Sequence, residues 1–184
     1  MKFRDLDLQI HKDLIEKSKR GDSRSQYELY QLYSKAMLNT CYRMMNNLED
    51  AEDMLQESFS DAFRKLNTFV YKSTFGAWLK RIVVNNCINE IKRKKPDLQY
   101  CEELPHPKPE TENQDGLSVE QIKKAMLQLP QGSRLIFSLY LLEGYDHREI
   151  SSILNMSESN SKSQFMRAKR RIKEILTEEV YYES

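Results

Sequence analysis

Apolar positions between residues 7 and 95 recur every three or four residues, and polar breaks separate the runs where strand and turn signals are missing. That spacing predicts four helices. The first covers about Asp7 to Arg20, with Leu8, Leu14 and Ile15 as its apolar residues and Gly21 as its stop. The second, Ser23 to Asn46, aligns Tyr30, Tyr33, Met37, Cys41 and Met45 on one stripe. The third, Glu49 to Leu66, does the same with Ala51, Leu55, Phe59, Ala62 or Phe63, and Leu66. The fourth, Thr74 to Lys95, draws its apolar surface from Phe75, Trp78, Leu79, Ile82, Val83 and Ile91, and Pro96 ends it.

The pattern lapses over residues 96–117. Pro96, Pro105, Pro107 and Pro109 stand there among Asp97, Glu102, Glu103, Glu110, Glu112 and Asp115. Too little apolar surface is present to offset the entropy of ordering, so the stretch reads as a flexible acidic linker. Helical spacing resumes at Ser118, an N-cap with Gln121 three residues on as in a capping box, and continues to about residue 178. The fold expected is all-α, with two small helical domains, 7–95 and 118–178, joined by the linker.

Within the second domain, Asp146 and Glu149 form the reciprocal pair of a capping box, Asn155 suits a left-handed turn, and Ser157 caps the next helix. This is the grammar of a helix-turn-helix. Ile150, Ile153, Leu154, Met156, Phe165 and Ala168 are spaced to pack its two helices together. Ser159, Asn160, Lys162, Ser163, Gln164 and Arg167 are then expected to face outward, as short polar residues that a DNA major groove accepts. Lys162, Arg167, Lys169, Arg170, Arg171 and Lys173 come without one acid between residues 159 and 173, and such a run attached to a helix-turn-helix suits phosphate contact.

Charge sharpens the picture of the first domain. The chain of 184 residues carries a net charge of only +1, yet residues 49–63 hold Glu49, Asp50, Glu52, Asp53, Glu57 and Asp61 with no base. Residues 80–95 invert this, with Lys80, Arg81, Lys92, Arg93, Lys94 and Lys95 against Glu90 alone. One helix face therefore suits a basic protein surface and the next suits nucleic acid. Acids in a first turn also complement the helix dipole, so the acidic run by itself fits a solvated face equally well.

Composition excludes other classes. Charged residues at 31%, a hydrophobic set of 39% and only five glycines suit a helix-rich protein in water, and nowhere do 18 apolar residues run together. A cytoplasmic location is expected. Cys41, Cys87 and Cys101 form no CxxC pair, and Cys101 with Glu102, Glu103 and His106 lacks zinc spacing, so neither a metal nor any other cofactor is expected. His11, His106 and His147 lie far apart with no Gly-rich phosphate loop, HExxH or GxSxG, so the chain does not read as an enzyme.

The residues also resemble a family. Leu48 to Phe59 looks like the polymerase-binding motif of region two in extracytoplasmic-function sigma factors of bacterial RNA polymerase, and Trp78 to Arg93 like the adjoining helix that opens and reads the minus-ten element. Leu129 to Arg134, continuing through Arg167, Ala168 and Lys169, is similar to region four, which docks on the polymerase flap and reads the minus-thirty-five element. The resemblance covers about 150 residues in the family's order and implies a promoter-specificity subunit. It implies that Asp50, Glu52, Asp53, Gln56 and Glu57 meet the clamp helices of core polymerase. For the minus-ten element it implies Lys80, Arg81, Lys92 and Arg93 on phosphates, Asn85, Asn86 and Asn89 on bases or backbone, and the segment 67–73, with Asn67, Phe69, Tyr71 and Lys72, on an extruded base. Ser159, Asn160, Lys162, Ser163, Gln164, Arg167, Lys169, Arg170 and Arg171 would meet the minus-thirty-five element. An anti-sigma factor, often membrane-bound, is the further partner implied.

Two positions depart from the family's pattern. Ser161 stands where an aliphatic residue usually packs the recognition helix, and Gln164 where arginine is common, which predicts weaker dependence on guanine. Phe69 and Trp78 suit a core as well as a DNA surface, and Asn85 suits a cap. The competing reading is an ordinary helix-turn-helix regulator that binds duplex DNA by itself. A helical adaptor would leave the helix-turn-helix unexplained.

Overall fold

The structure, a computed structural model, describes residues 11–101 and 119–183, with side chains of the last helix to residue 178. Asp7 and Leu8, the Ser118 cap, the linker from Glu102 onward and the Glu102, Glu103 and His106 group lie outside the described residues.

Eight α-helices and one short 3₁₀ turn make up the described residues, with no strand among them. They are α1 (Lys12–Lys19), α2 (Ser23–Met45), α3 (Leu48–Arg64), the 3₁₀ turn Leu66–Thr68, α4 (Phe75–Lys94), α5 (Val119–Leu127), α6 (Gln131–Leu141), α7 (His147–Leu154) and α8 (Glu158–Glu183). The chain divides into two compact units, Met1–Pro96 and Asp97–Ser184.

In the first unit α2, α3 and α4 pack on one another, and α1 lies against α2 and the 3₁₀ turn. The core is the convergence of the apolar stripes: Ile15, Leu29, Met37, Cys41 and Met44 meet Ala51, Leu55, Phe59 and Ala62, then Leu79, Val83, Cys87 and Ile91. Helices α2, α3 and α4 each start on a side-chain cap. Asp22 accepts from Ser25 N–H at 3.0 Å, Asn47 from Asp50 N–H at 3.0 Å and Thr74 from Ala77 N–H at 3.2 Å, satisfying donors that a helix start leaves open. Asn46, at φ 56°, ends α2 in the left-handed conformation and lets α3 double back.

In the second unit α8 is the spine on which α5, α6 and α7 pack. Gly132 to Leu139 of α6 are buried, Arg134 included at 5% exposed. That guanidinium donates to the carbonyls of Leu127 and Leu129 at 3.3 and 3.0 Å, closing the C-terminal end of α5, and burial depresses its pKa.

The first residues of the expected linker are not free chain. Gly132 N–H donates to the Gln99 carbonyl at 2.8 Å and Cys101 N–H to Ser133 Oγ at 2.8 Å, so Gln99–Cys101 forms a strap across the start of α6. Glycine is required there: a Cβ on Gly132 would stand 2.6 Å from both the Gln99 carbonyl and the Tyr100 ring.

Candidate nucleic-acid interface

Helix α3 turns Ala51, Leu55, Phe59 and Ala62 inward, and its period leaves Glu52, Asp53, Gln56 and Glu57 exposed on the other side. Asp53, Gln56 and Glu57 face Asn86, Asn89 and Arg93 of α4 across an open cleft of about 700 Å³. The two candidate sets of the first unit, acidic and basic, therefore share one cleft. Asp50 stands apart from the exposed acids, because its carboxylate accepts from the Lys94 ammonium.

The candidate minus-ten residues divide by environment. Arg81, Asn85 and Asn89 are exposed along α4, whereas Lys80 and Lys92 are half-buried. Arg93 is exposed but forks onto the Glu90 carboxylate with two bonds of 2.7 Å, and this pairing holds Glu90 below the usual carboxylate range. Asn86 is spent within the fold: its amide donates to Ser58 Oγ and to the Asp61 carboxylate, both at 3.3 Å. Burial raises the Asp61 pKa, but this amide and the charges of Lys65 and Arg64 outweigh it and hold the carboxyl low.

The segment 67–73 departs from expectation at Phe69. That side chain is 2% exposed, with its ring 5.8 Å from Phe75 and 5.3 Å from Trp78, so it closes the core and is not offered to a base. Asn67 and Lys72 are exposed, and Tyr71 remains partly so, with its backbone in the left-handed region at φ 57°.

In the second unit the helix-turn-helix forms as its local signals predict. Asp146 accepts from Glu149 N–H at 2.7 Å while Glu149 accepts from Asp146 N–H at 2.9 Å, Asn155 takes φ 55°, and Ser157 Oγ caps α8 through Asn160 N–H at 3.1 Å. Ser159, Asn160, Lys162 and Ser163 are exposed on the first turns of α8, where a groove would be read. Lys162 pairs with Glu158 at 2.6 Å, Lys169 and Arg171 are exposed, and Arg167 and Arg170 are half-buried. Arg167, Arg170 and Arg171 line an open cleft of about 630 Å³ together with Gln99, Tyr100 and Cys101 of the strap.

Gln164 is the clear exception among the candidate readers. It is 6% exposed, its Oε1 finds no hydrogen-bond partner among the described residues, and it faces the core instead of a duplex. The weaker guanine dependence expected from Gln164 thus loses its structural basis. Ser161 is fully buried, and its hydroxyl meets His147 Nδ1 at 2.9 Å, which gives a polar lock where an aliphatic contact is usual. Tyr140 stacks on the same imidazole at 4.4 Å, and burial together with the Lys162 charge lowers the His147 pKa. Sequence reasoning missed this lock and the role of Arg134, since neither follows from local spacing.

The comparisons with known proteins agree with this division. The family models described as Sigma-70 region 2 and Sigma-70, region 4 match residues 29–96 and 119–172 respectively. The chain is 28% identical over 179 residues to the ECF RNA polymerase sigma factor SigW of Bacillus subtilis (strain 168), covering 90% of this chain and 96% of that one. It is 27% identical over 183 residues to the RNA polymerase sigma-H factor of Pseudomonas aeruginosa, covering 89% and 92%. The fold is similar to that of the sigma factor RpoE solved with the anti-sigma factor NepR from Bartonella quintana, at 22% identity and TM-score 0.53, over 82% of this chain and 96% of that one.

Proposed function

Since the chain belongs to the sigma-70 family, in its extracytoplasmic-function class, and acts as an alternative sigma factor, we propose how its residues divide that work. Members of this family are transcription initiation factors and not enzymes by themselves. The chain binds core RNA polymerase and directs it to promoters. In the reading we favour, Glu52, Asp53, Gln56 and Glu57 present carboxylates and an amide to the clamp helices of the polymerase, with Asp50 at the rim of that face. Charge of one sign on one exposed helix face steers such an encounter and fixes its register.

Arg81, Asn85 and Asn89, with Lys80, Lys92 and Arg93 beside them, would follow the opened minus-ten strand, and Asn67, Tyr71 and Lys72 would meet its extruded base. On α8, Ser159, Asn160 and Ser163 would read base edges while Lys162, Arg167, Lys169, Arg170 and Arg171 position the helix on phosphates. An anti-sigma factor is the further partner, by analogy with the solved relatives. A cytoplasmic site of action fits these partners, and no described helix is long and apolar enough to cross a membrane.

The observation that carries the reading is the exposed acidic face of α3 in one unit combined with an exposed polar α8 in the other. An ordinary helix-turn-helix regulator has use for the second feature but not the first. The test is transcription by purified core polymerase on genomic DNA with this protein added. Discrete new starts are expected, and replacing Asp53 and Glu57 by Ala removes them while α8 keeps its weak duplex binding. Full transcription by that double variant would overturn the assignment of the α3 face.

A further inference from the structure

The segment 67–73 is held from outside the part of the chain that the family model matches. That match begins at residue 29, whereas α1 spans Lys12–Lys19. The Tyr71 hydroxyl donates to Glu16 Oε1 at 2.7 Å, and the same oxygen accepts from the Lys19 ammonium at 2.9 Å. Lys19 also donates to the Phe69 carbonyl at 3.0 Å and lies 4.9 Å from the centroid of the Tyr71 ring, with Lys12 at 5.8 Å. Two residues of one short helix thus grip the segment at both of its aromatic positions.

The grip answers a local difficulty. Residues 70–73 carry no helix or strand, and Tyr71 sits at φ 57°, a conformation that a bulky side chain adopts only when its surroundings impose it. Phe69 anchors one side of Tyr71, their rings 4.8 Å apart, but Phe69 is itself buried and cannot fix the hydroxyl. The hydrogen bond to Glu16 does so. A stacking platform that is already set avoids an ordering cost when single-stranded DNA arrives, and the ammonium groups of Lys12 and Lys19 beside the ring suit the phosphate that accompanies a base.

We propose that α1 is a positioning element for promoter opening, in which Glu16 sets the Tyr71 ring and Lys19 sets the backbone of the segment at Phe69. The proposal rests on the reading that 67–73 receives the extruded base. Glu16 and Lys19 act through Tyr71 and need not touch the base.

The experiment uses the full chain assembled with core polymerase and a promoter carrying 2-aminopurine in its minus-ten element, read as the rate of fluorescence rise on opening. Glu16→Ala and Tyr71→Phe are each expected to slow opening by about tenfold, the scale of one lost hydrogen bond to a charged group. The double variant is expected to be no slower than Glu16→Ala alone, because the bond that Tyr71→Phe removes is already lost there. Affinity for core polymerase stays at the unsubstituted value, and the melting temperature falls by no more than one lost hydrogen bond accounts for, which separates positioning from general support of the fold. Tyr71→Ala slows opening further.

Additive losses in the double variant would overturn the proposal, as would slowing that tracks a fall in core affinity. If Tyr71→Ala slows opening while Glu16→Ala does not, the segment still receives the base and α1 has no part in setting it. If Tyr71→Ala opens at the normal rate, the reading of the segment falls and the proposal with it.

Discussion

The Lys94 ammonium at the end of α4 pairs with the Asp50 carboxylate in the first turn of α3, across 44 residues of sequence. The pair joins the helix proposed for DNA to the helix proposed for polymerase, and it raises the Lys94 pKa. Lys94 has Glu90 as a second partner at 3.5 Å, so it is held at the rim of the acidic cleft.

An exposed pair of this kind contributes little to stability, but it occupies a carboxylate that the polymerase could use. Lys94→Met is therefore expected to leave the melting temperature unchanged and to tighten binding to core polymerase by roughly threefold at low salt, an effect that high salt erases. Titration of core polymerase with labelled protein at two salt concentrations checks this.

Gln164 provides a test of how α8 reads DNA. With its amide oxygen buried and unpartnered among the described residues, Gln164→Leu is expected to stabilise the second unit by about 1 kcal/mol and to leave minus-thirty-five preference unchanged. Ser163→Ala, on the exposed face, is expected to alter preference without changing stability. Thermal unfolding together with selection from randomised promoters reads both.

His147 predicts a pH dependence. Its folded pKa lies below the ordinary value of about 6.5, so the unfolded chain takes up the proton first as pH falls. The stability that comes from keeping the imidazole neutral is complete above that value and is lost as pH descends from it through the folded pKa. Melting of the full chain should therefore fall more steeply between about pH 7.5 and 5.5 than that of His147→Gln, which has no titrating ring. Parallel curves for the two proteins would contradict the burial of the imidazole beside Lys162.

What could be read from the sequence was what neighbours along the chain decide. Asp146 with Glu149, Asn155 and Ser157 fixed the helix-turn-helix because caps and left-handed turns depend on residues within four positions. Gln164 misled because its polarity suggested solvent, although it lies three residues after Ser161 and four before Ala168, both fully buried; period was the better guide. Lys94 with Asp50 and Tyr71 with Glu16 were beyond local reasoning, since only the packing of distant helices brings them together. The strap was hidden by composition: proline and acid content described 96–117 as one stretch, while two backbone hydrogen bonds set Gln99–Cys101 apart.

That strap extends the second unit upstream of residue 119, where the match to the region 4 family model begins. Gln99–Cys101 belongs to that unit and is fastened to the start of α6 by two hydrogen bonds. A fragment that begins at residue 119 therefore lacks the acceptor of Gly132 N–H and the donor to Ser133 Oγ, and leaves both groups at the start of α6 to water.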